Sequence, residues 1–165
     1  MGAGKTTVGT LLATRLACPL DDSDATIIAE QGRSSRELQA EIGTDAMHAL
    51  EVAHLLGALA RPRPRIVTPA AYCIEVPACR DALAGPGVRV VWLRARPQTL
   101  AARFGAQGHR PIYGADPGIF LAAQAERRHP LFGALAELTV DVDALAPAAI
   151  VARVLAGLGA GGRDV

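Results

Sequence analysis

"GAGKTTVGTLLATRL" occupies residues 2–16, and its reading governs how the rest of the chain is interpreted. Two glycines one residue apart lead into Lys5, Thr6 and Thr7, and then into Val8, Leu11, Leu12 and Leu16 at helical spacing. Gly2 and Gly4 allow the backbone to turn its N–H groups towards one point, with Ala3 between them. A helix starting at about Thr6 would direct its N-terminus at that same point, which makes an anion site. Lys5 is the single lysine of the chain, and the other basic chains are arginines, as in "RPRPR" (61–65). A compact ammonium on a flexible stem therefore stands where a phosphate would sit.

With the preceding residue, the segment reads as most of a phosphate-binding loop of the pattern G-x-x-x-x-G-K-S/T. Gly4 fills the second glycine position, so Met1 is the third of the eight positions. In this reading Gly2, Ala3, Gly4, Lys5, Thr6 and Thr7 hold the phosphates of ATP. Lys5 reaches the β- and γ-phosphates, and the Thr6 hydroxyl takes Mg²⁺. The sequence leads us to expect about ten further residues, a strand plus the loop's start, ahead of Met1.

The remaining composition narrows the classes. The chain has 165 residues, half of them apolar, with a formal net charge of +1, which suits one domain with a sizeable core. That balance gives no electrostatic reason to expect nucleic acid or an anionic membrane as a partner. Three cysteines, Cys18, Cys73 and Cys79, make neither a disulfide framework nor a metal spacing. No apolar run approaches the roughly 20 residues of a membrane span. A cytoplasmic monomer acting on a small molecule is the expectation.

Along the chain, apolar runs alternate with helical periodicity. "CPLDD" (18–22), "IVTPAA" (66–71), "VRVVWLRA" (88–95) and "LTVDVD" (138–143) read as strands. "SDATIIAEQG" predicts a short helix stopped by Gly32, and "SSRE" (34–37) is a capping box. A longer helix from Thr44 or Asp45 ends at "RPRPR". Shorter helices are expected in "PACRDALA" and "PQTLAARFGAQ", and a last one in "PAAIVARVLAGL". Residues 105–118 read as a mobile loop, and "IFLAAQAERRHPLFGALAE" as a helix interrupted at Pro130. Trp92 reads as core, whereas His109 and His129 read as solvent-facing. This alternation predicts an α/β fold with a parallel sheet covered by helices on both faces.

At the end of the first candidate strand stands "DSD", which puts Asp22 and Asp24 where open α/β sheets keep their ligands. Either acid could instead cap the following helix. Taken in order, "MGAGKTTVGTLLATRLACPLDDSDATI", "GRSSRELQAEIG", "VVWLRARPQTLAAR", "RPIY" and "RRHPLF" resemble the shikimate kinase family over nearly the whole chain. The resemblance implies a P-loop kinase domain over residues 1–158, a lid at about 105–118, and a frayed tail at 159–165. It implies transfer of the γ-phosphoryl of MgATP to a hydroxyl of shikimate. Asp22 then matches the metal-side acid and Asp24 the acid that orients the acceptor hydroxyl. Arg110 matches a lid arginine over the ATP phosphates, and Arg128 an arginine that grips the acceptor's carboxylate at two points. Lys5, Asp24 and Arg110 are thus the expected catalytic residues.

The departures from that family are as specific as the matches. His48 stands where the family carries a second carboxylate-gripping arginine, and a neutral imidazole cannot grip in the same bidentate way. Ala70, Ala71 and Tyr72 stand where it carries three glycines, so Ala71 is the expected acceptor contact. His48 is either a locally satisfied polar residue on an apolar helix or part of a reshaped pocket. The residues thus leave open shikimate, another small hydroxylated acceptor, or a protein that no longer catalyses. In such folds the strand ahead of the loop is central, so its absence implies a gap in the sheet with unpaired backbone groups.

Overall fold

A computed structural model describes residues 2–104 and 117–160. The first helix, α1 (Lys5–Leu16), starts directly from the glycine loop and stops at Ala17, whose left-handed backbone returns its N–H to Ala13 and Thr14. The chain then forms β1 (Leu20–Asp22) and α2 (Ser23–Gln31), which Gly32 ends in a left-handed turn. The capping box forms as the sequence predicts: Ser34 accepts from the Glu37 N–H, and Glu37 answers the Ser34 backbone. It opens α3 (Ser35–Ala60), broken internally at Gly43, whose φ of 82° leaves the helical region and restarts the helix near Thr44.

After Pro64 come β2 (Ile66–Thr68), a 3₁₀ turn (Ala71–Glu75) and α4 (Pro77–Leu83). Next are β3 (Val91–Arg94), α5 (Pro97–Phe104) and α6 (Pro117–Leu135), and then β4 (Leu138–Asp141) and α7 (Pro147–Ala160). All strand pairing is parallel: Leu20 stands opposite Ile66 and Asp22 opposite Thr68, while Val91 stands opposite Leu138 and Arg94 opposite Asp141.

Among the described residues the four strands form two pairs, β1 with β2 and β3 with β4. A largely apolar cavity of about 520 Å³ is lined by every residue of β2 and by Val91, Trp92 and Leu93 of β3, but by none of β1 or β4. The slot therefore lies between the facing edges of β2 and β3.

Three apolar clusters hold the layers. Val8 and Leu12 of α1 pack with Val140, Ile150 and Val154 of β4 and α7, which binds the loop's helix to the β3–β4 pair. Ile27, Leu38 and Met47 join α2 to α3, and Leu55, Cys73 and Cys79 join α3 to the 3₁₀ turn and α4. Among the described residues no helix is long and apolar enough to cross a membrane.

Several expected boundaries differ. β2 ends at Thr68 because Pro69 cannot donate to a ladder, and Ala71 already belongs to the 3₁₀ turn. β3 is confined to Val91–Arg94, the length that β4 offers as partner. α6 runs through Pro130 rather than breaking there; His129 and Phe132, on either side of it, pack on Trp92 with ring centroids 4.9 and 5.6 Å away. Tertiary packing outweighs the missing N–H. His129 is accordingly half-buried rather than solvent-facing, and Trp92 is half-buried against the slot rather than enclosed in core. Pro117 and Gly118, expected in the loop, open α6, and Gly159 and Ala160, expected to fray, continue α7. The rest of the expected loop, with His109 and Arg110, and the tail beyond Ala160 lie outside the described residues.

Candidate active site

The site is assembled at the C-terminal ends of β1 and β2, against the glycine loop. Gly2 and Gly4 hold φ of 73° and 90°, a left-handed backbone that other residues adopt only with strain. Ala3 links them, and the Gly4 carbonyl accepts the N–H of Val8 at 2.9 Å, the first turn of α1. Arg103 of α5 secures the loop from the far side. It donates to the carbonyls of Gly2 and Val142, each at 3.2 Å. Lys5, Thr6 and Thr7 thus occupy the first turn of α1, with the Thr6 and Thr7 side chains exposed.

Thr6 and Asp22 meet as the sequence expects. The Thr6 hydroxyl donates to Asp22 Oδ2 at 2.8 Å, and the Thr68 hydroxyl donates to the same oxygen at 2.6 Å. Asp22 Oδ1 accepts the N–H of Ala25 at 2.9 Å, so the acid also caps α2. The capping reading of this residue holds, and the same carboxylate faces the Thr6 hydroxyl at the loop. Burial pushes its carboxyl up, but the hydrogen bonds from Thr68, Ala25 and Thr6, with the charge of Lys5, bring it below the ordinary aspartate value. The neighbouring Asp21 points to the opposite side of the strand, where it pairs with Arg61 at 2.5 Å and with Arg65. The two acids of the doublet thus face opposite sides of the strand.

Asp24 lies exposed in the first turn of α2. Its charge reaches Glu51 of α3, a residue that the sequence reading did not single out. Burial pushes the Glu51 carboxyl up to about 7, Asp24 pushes in the same direction, and Lys5 and Arg128 oppose. Glu51 Oε2 is buried without a hydrogen-bond partner. Arg128, on α6, is 8% exposed, with Nε donating to Glu75 at 2.5 Å and Nη1 to Gln124 at 2.7 Å. Its guanidinium is therefore held in place by an acid at the end of the 3₁₀ turn. The charges form a sequence running from Lys5 through Glu51 to Arg128.

His48 and Tyr72 form the far side. Their rings stack at 3.5 Å between centroids and 5° between planes. Burial, and then the charge of Arg128, push the imidazole below the ordinary histidine value, against Asp45 and Glu75. Ala71, half-buried, opens the 3₁₀ turn that carries Tyr72.

Residues 1–158 match the family model described as shikimate kinase. The chain belongs to the shikimate kinase family. Among curated shikimate kinases, that of Thermobifida fusca is 36% identical over 161 residues, covering 96% of this chain and 92% of the relative. That of Symbiobacterium thermophilum is 34% identical, covering 94% and 90%. A solved shikimate kinase from Acinetobacter baumannii, in complex with shikimate, superposes with a TM-score of 0.90 at 25% identity, covering 99% of this chain and 91% of that one. Membership makes the chain a phosphotransferase, and the α/β arrangement of parallel strands and helices is the fold of that family.

Within this member of the shikimate kinase family, the expected residues Lys5, Thr6, Asp22, Asp24, His48 and Arg128 converge on one region. Three more were missed. Thr68 has a signal in the sequence, since it ends the strand whose register faces Asp22. Glu51 lies three residues after His48 on the same helix face, a spacing that could have marked it. Glu75 carries no signal that separates it from any other acid.

Proposed function

We propose that this chain transfers the γ-phosphoryl group of ATP to a hydroxyl of shikimate. The observation that carries the reading is the junction of Lys5, Thr6 and Asp22. A glycine-turned loop, a lysine and a hydroxyl–carboxylate pair meet there at the N-terminus of α1, with Arg128 held behind them by Glu75. In this reading Gly2, Ala3, Gly4 and Thr7 present backbone N–H groups to the β- and γ-phosphates, and Lys5 neutralises charge on the transferring group. Asp24 orients the acceptor hydroxyl, and Arg128 receives the acceptor's carboxylate through the N–H donors that Glu75 and Gln124 leave.

The donor set fits magnesium. Thr6 and Asp22 supply two hard oxygens 2.8 Å apart beside the loop, and Mg²⁺ takes few protein ligands and keeps its waters. When bound it would supply charge neutralisation between the β- and γ-phosphates.

The His48–Tyr72 stack supports a second reading, in which the acceptor is a different small hydroxylated acid. ADP release from MgATP, measured with and without shikimate, tests both. Stimulation by shikimate is the expected result. ATP turnover that shikimate leaves unchanged would overturn the first reading in favour of the second.

A further inference from the structure

Two elements form the acceptor side of the site, and both contribute to one aromatic contact. α3 carries His48 and, one turn on, Glu51; the 3₁₀ turn carries Tyr72 and, at its end, Glu75. Arg128 is tied to the 3₁₀ turn through Glu75, which holds its Nε, and its charge acts on Glu51 and His48 of α3. The two rings are near parallel and in van der Waals contact, so neither can rotate without the other moving. Both are half-buried. Glu75 already offsets much of the charge of Arg128 at this end. Electrostatic attraction for an acceptor anion is therefore modest here, and shape must carry more of the selectivity.

We propose that Tyr72 is a specificity-determining positioning residue. By stacking on His48 it fixes the imidazole plane as a flat wall beside Arg128, against which a small cyclic hydroxylated acid is held with its carboxylate on that one guanidinium. The proposal rests on the functional reading above, with shikimate as the probe. Tyr72 does not touch the transferring phosphoryl group; it acts through the ring that it orients. Its loss should loosen acceptor binding and leave the chemical step and the nucleotide side alone.

The test compares steady-state kinetics of the unmodified protein with Tyr72→Leu and Tyr72→Phe. Tyr72→Leu removes the stack, and the expected result is a KM for shikimate raised about 3- to 12-fold, within the range of a lost aromatic contact. The KM for ATP and kcat should stay within about twofold, and the thermal melt should remain cooperative. Tyr72→Phe keeps the ring and should restore the KM for shikimate to within about twofold. An unchanged KM for shikimate in Tyr72→Leu would overturn the proposal, as would equal changes in both KM values or failure of Phe to rescue. If the unmodified protein shows no shikimate-dependent turnover, the functional reading fails first and this proposal with it. Turnover in the unmodified protein with an unmoved KM in Tyr72→Leu overturns the proposal alone.

Discussion

The Thr6 hydroxyl and the Asp22 carboxylate are joined at 2.8 Å across the boundary between the phosphate loop and β1, and Thr68 shares the same oxygen. Because hydrogen bonds to the charged form outweigh burial, Asp22 lies below its ordinary value. The stability it contributes is present above the unfolded aspartate value of 3.8 and is lost as pH falls through the lower folded value. Thr68→Val removes one of those bonds, and should cost about 1.5–3 kcal/mol near neutral pH, the scale for a hydrogen bond to a charged group. Melting curves from pH 2 to 7 should show the deficit shrinking once Asp22 is protonated.

Glu51 has the opposite sign. Its folded value of about 7 lies above the ordinary 4.5, so the folded state holds the proton more tightly. The resulting stabilisation is complete below about 4.5 and disappears as pH rises through about 7. Glu51→Gln cannot ionise, and its melting temperature should gain on that of the parent between pH 5 and 8. Parallel pH profiles for the two proteins would contradict a buried, proton-holding Glu51.

Gly9 is a packing requirement. A Cβ there would lie 2.5 Å from Thr68 Cγ2 and 3.3 Å from Leu20 Cδ1, so α1 would have to lift from β1 and β2. Gly9→Ala should cost about 1–3 kcal/mol in urea unfolding, the scale of overpacking. It should also weaken ATP binding, because Thr6 moves with the helix.

Lys5→Ala should abolish turnover while leaving the melt close to that of the parent. A loss of at least about 10²–10³ in kcat is the scale for removing one charge-stabilising donor. Near-parental activity in this variant would remove the loop from the mechanism.

Much of the fold is legible because local rules and tertiary packing agree in it. Gly32, the Ser34–Glu37 box and the proline run after Ala60 mark ends that the structure keeps. Pro130 is where they disagree: the local rule predicts a break, but the contacts of His129 and Phe132 with Trp92 carry α6 across it. In the site, Lys5, Thr6 and Asp22 are readable because the loop motif and strand-end placement specify them. Thr68, Glu51 and Glu75 depend on strand register and helix facing, which set them near Asp22, Lys5 and Arg128, residues 46, 46 and 53 positions away in the chain. The sequence motifs also say nothing of Arg103, whose two carbonyl contacts fix the loop from α5.

Arg103 and Thr6 give the phosphate loop a mechanical task. Thr6 clasps Asp22 of β1, and Arg103 clasps Gly2 to the carbonyl of Val142, just past β4. A nucleotide seated in the loop would therefore act as a rivet through two plates, bearing at once on the strand that carries Asp22 and on the helix that carries Arg103.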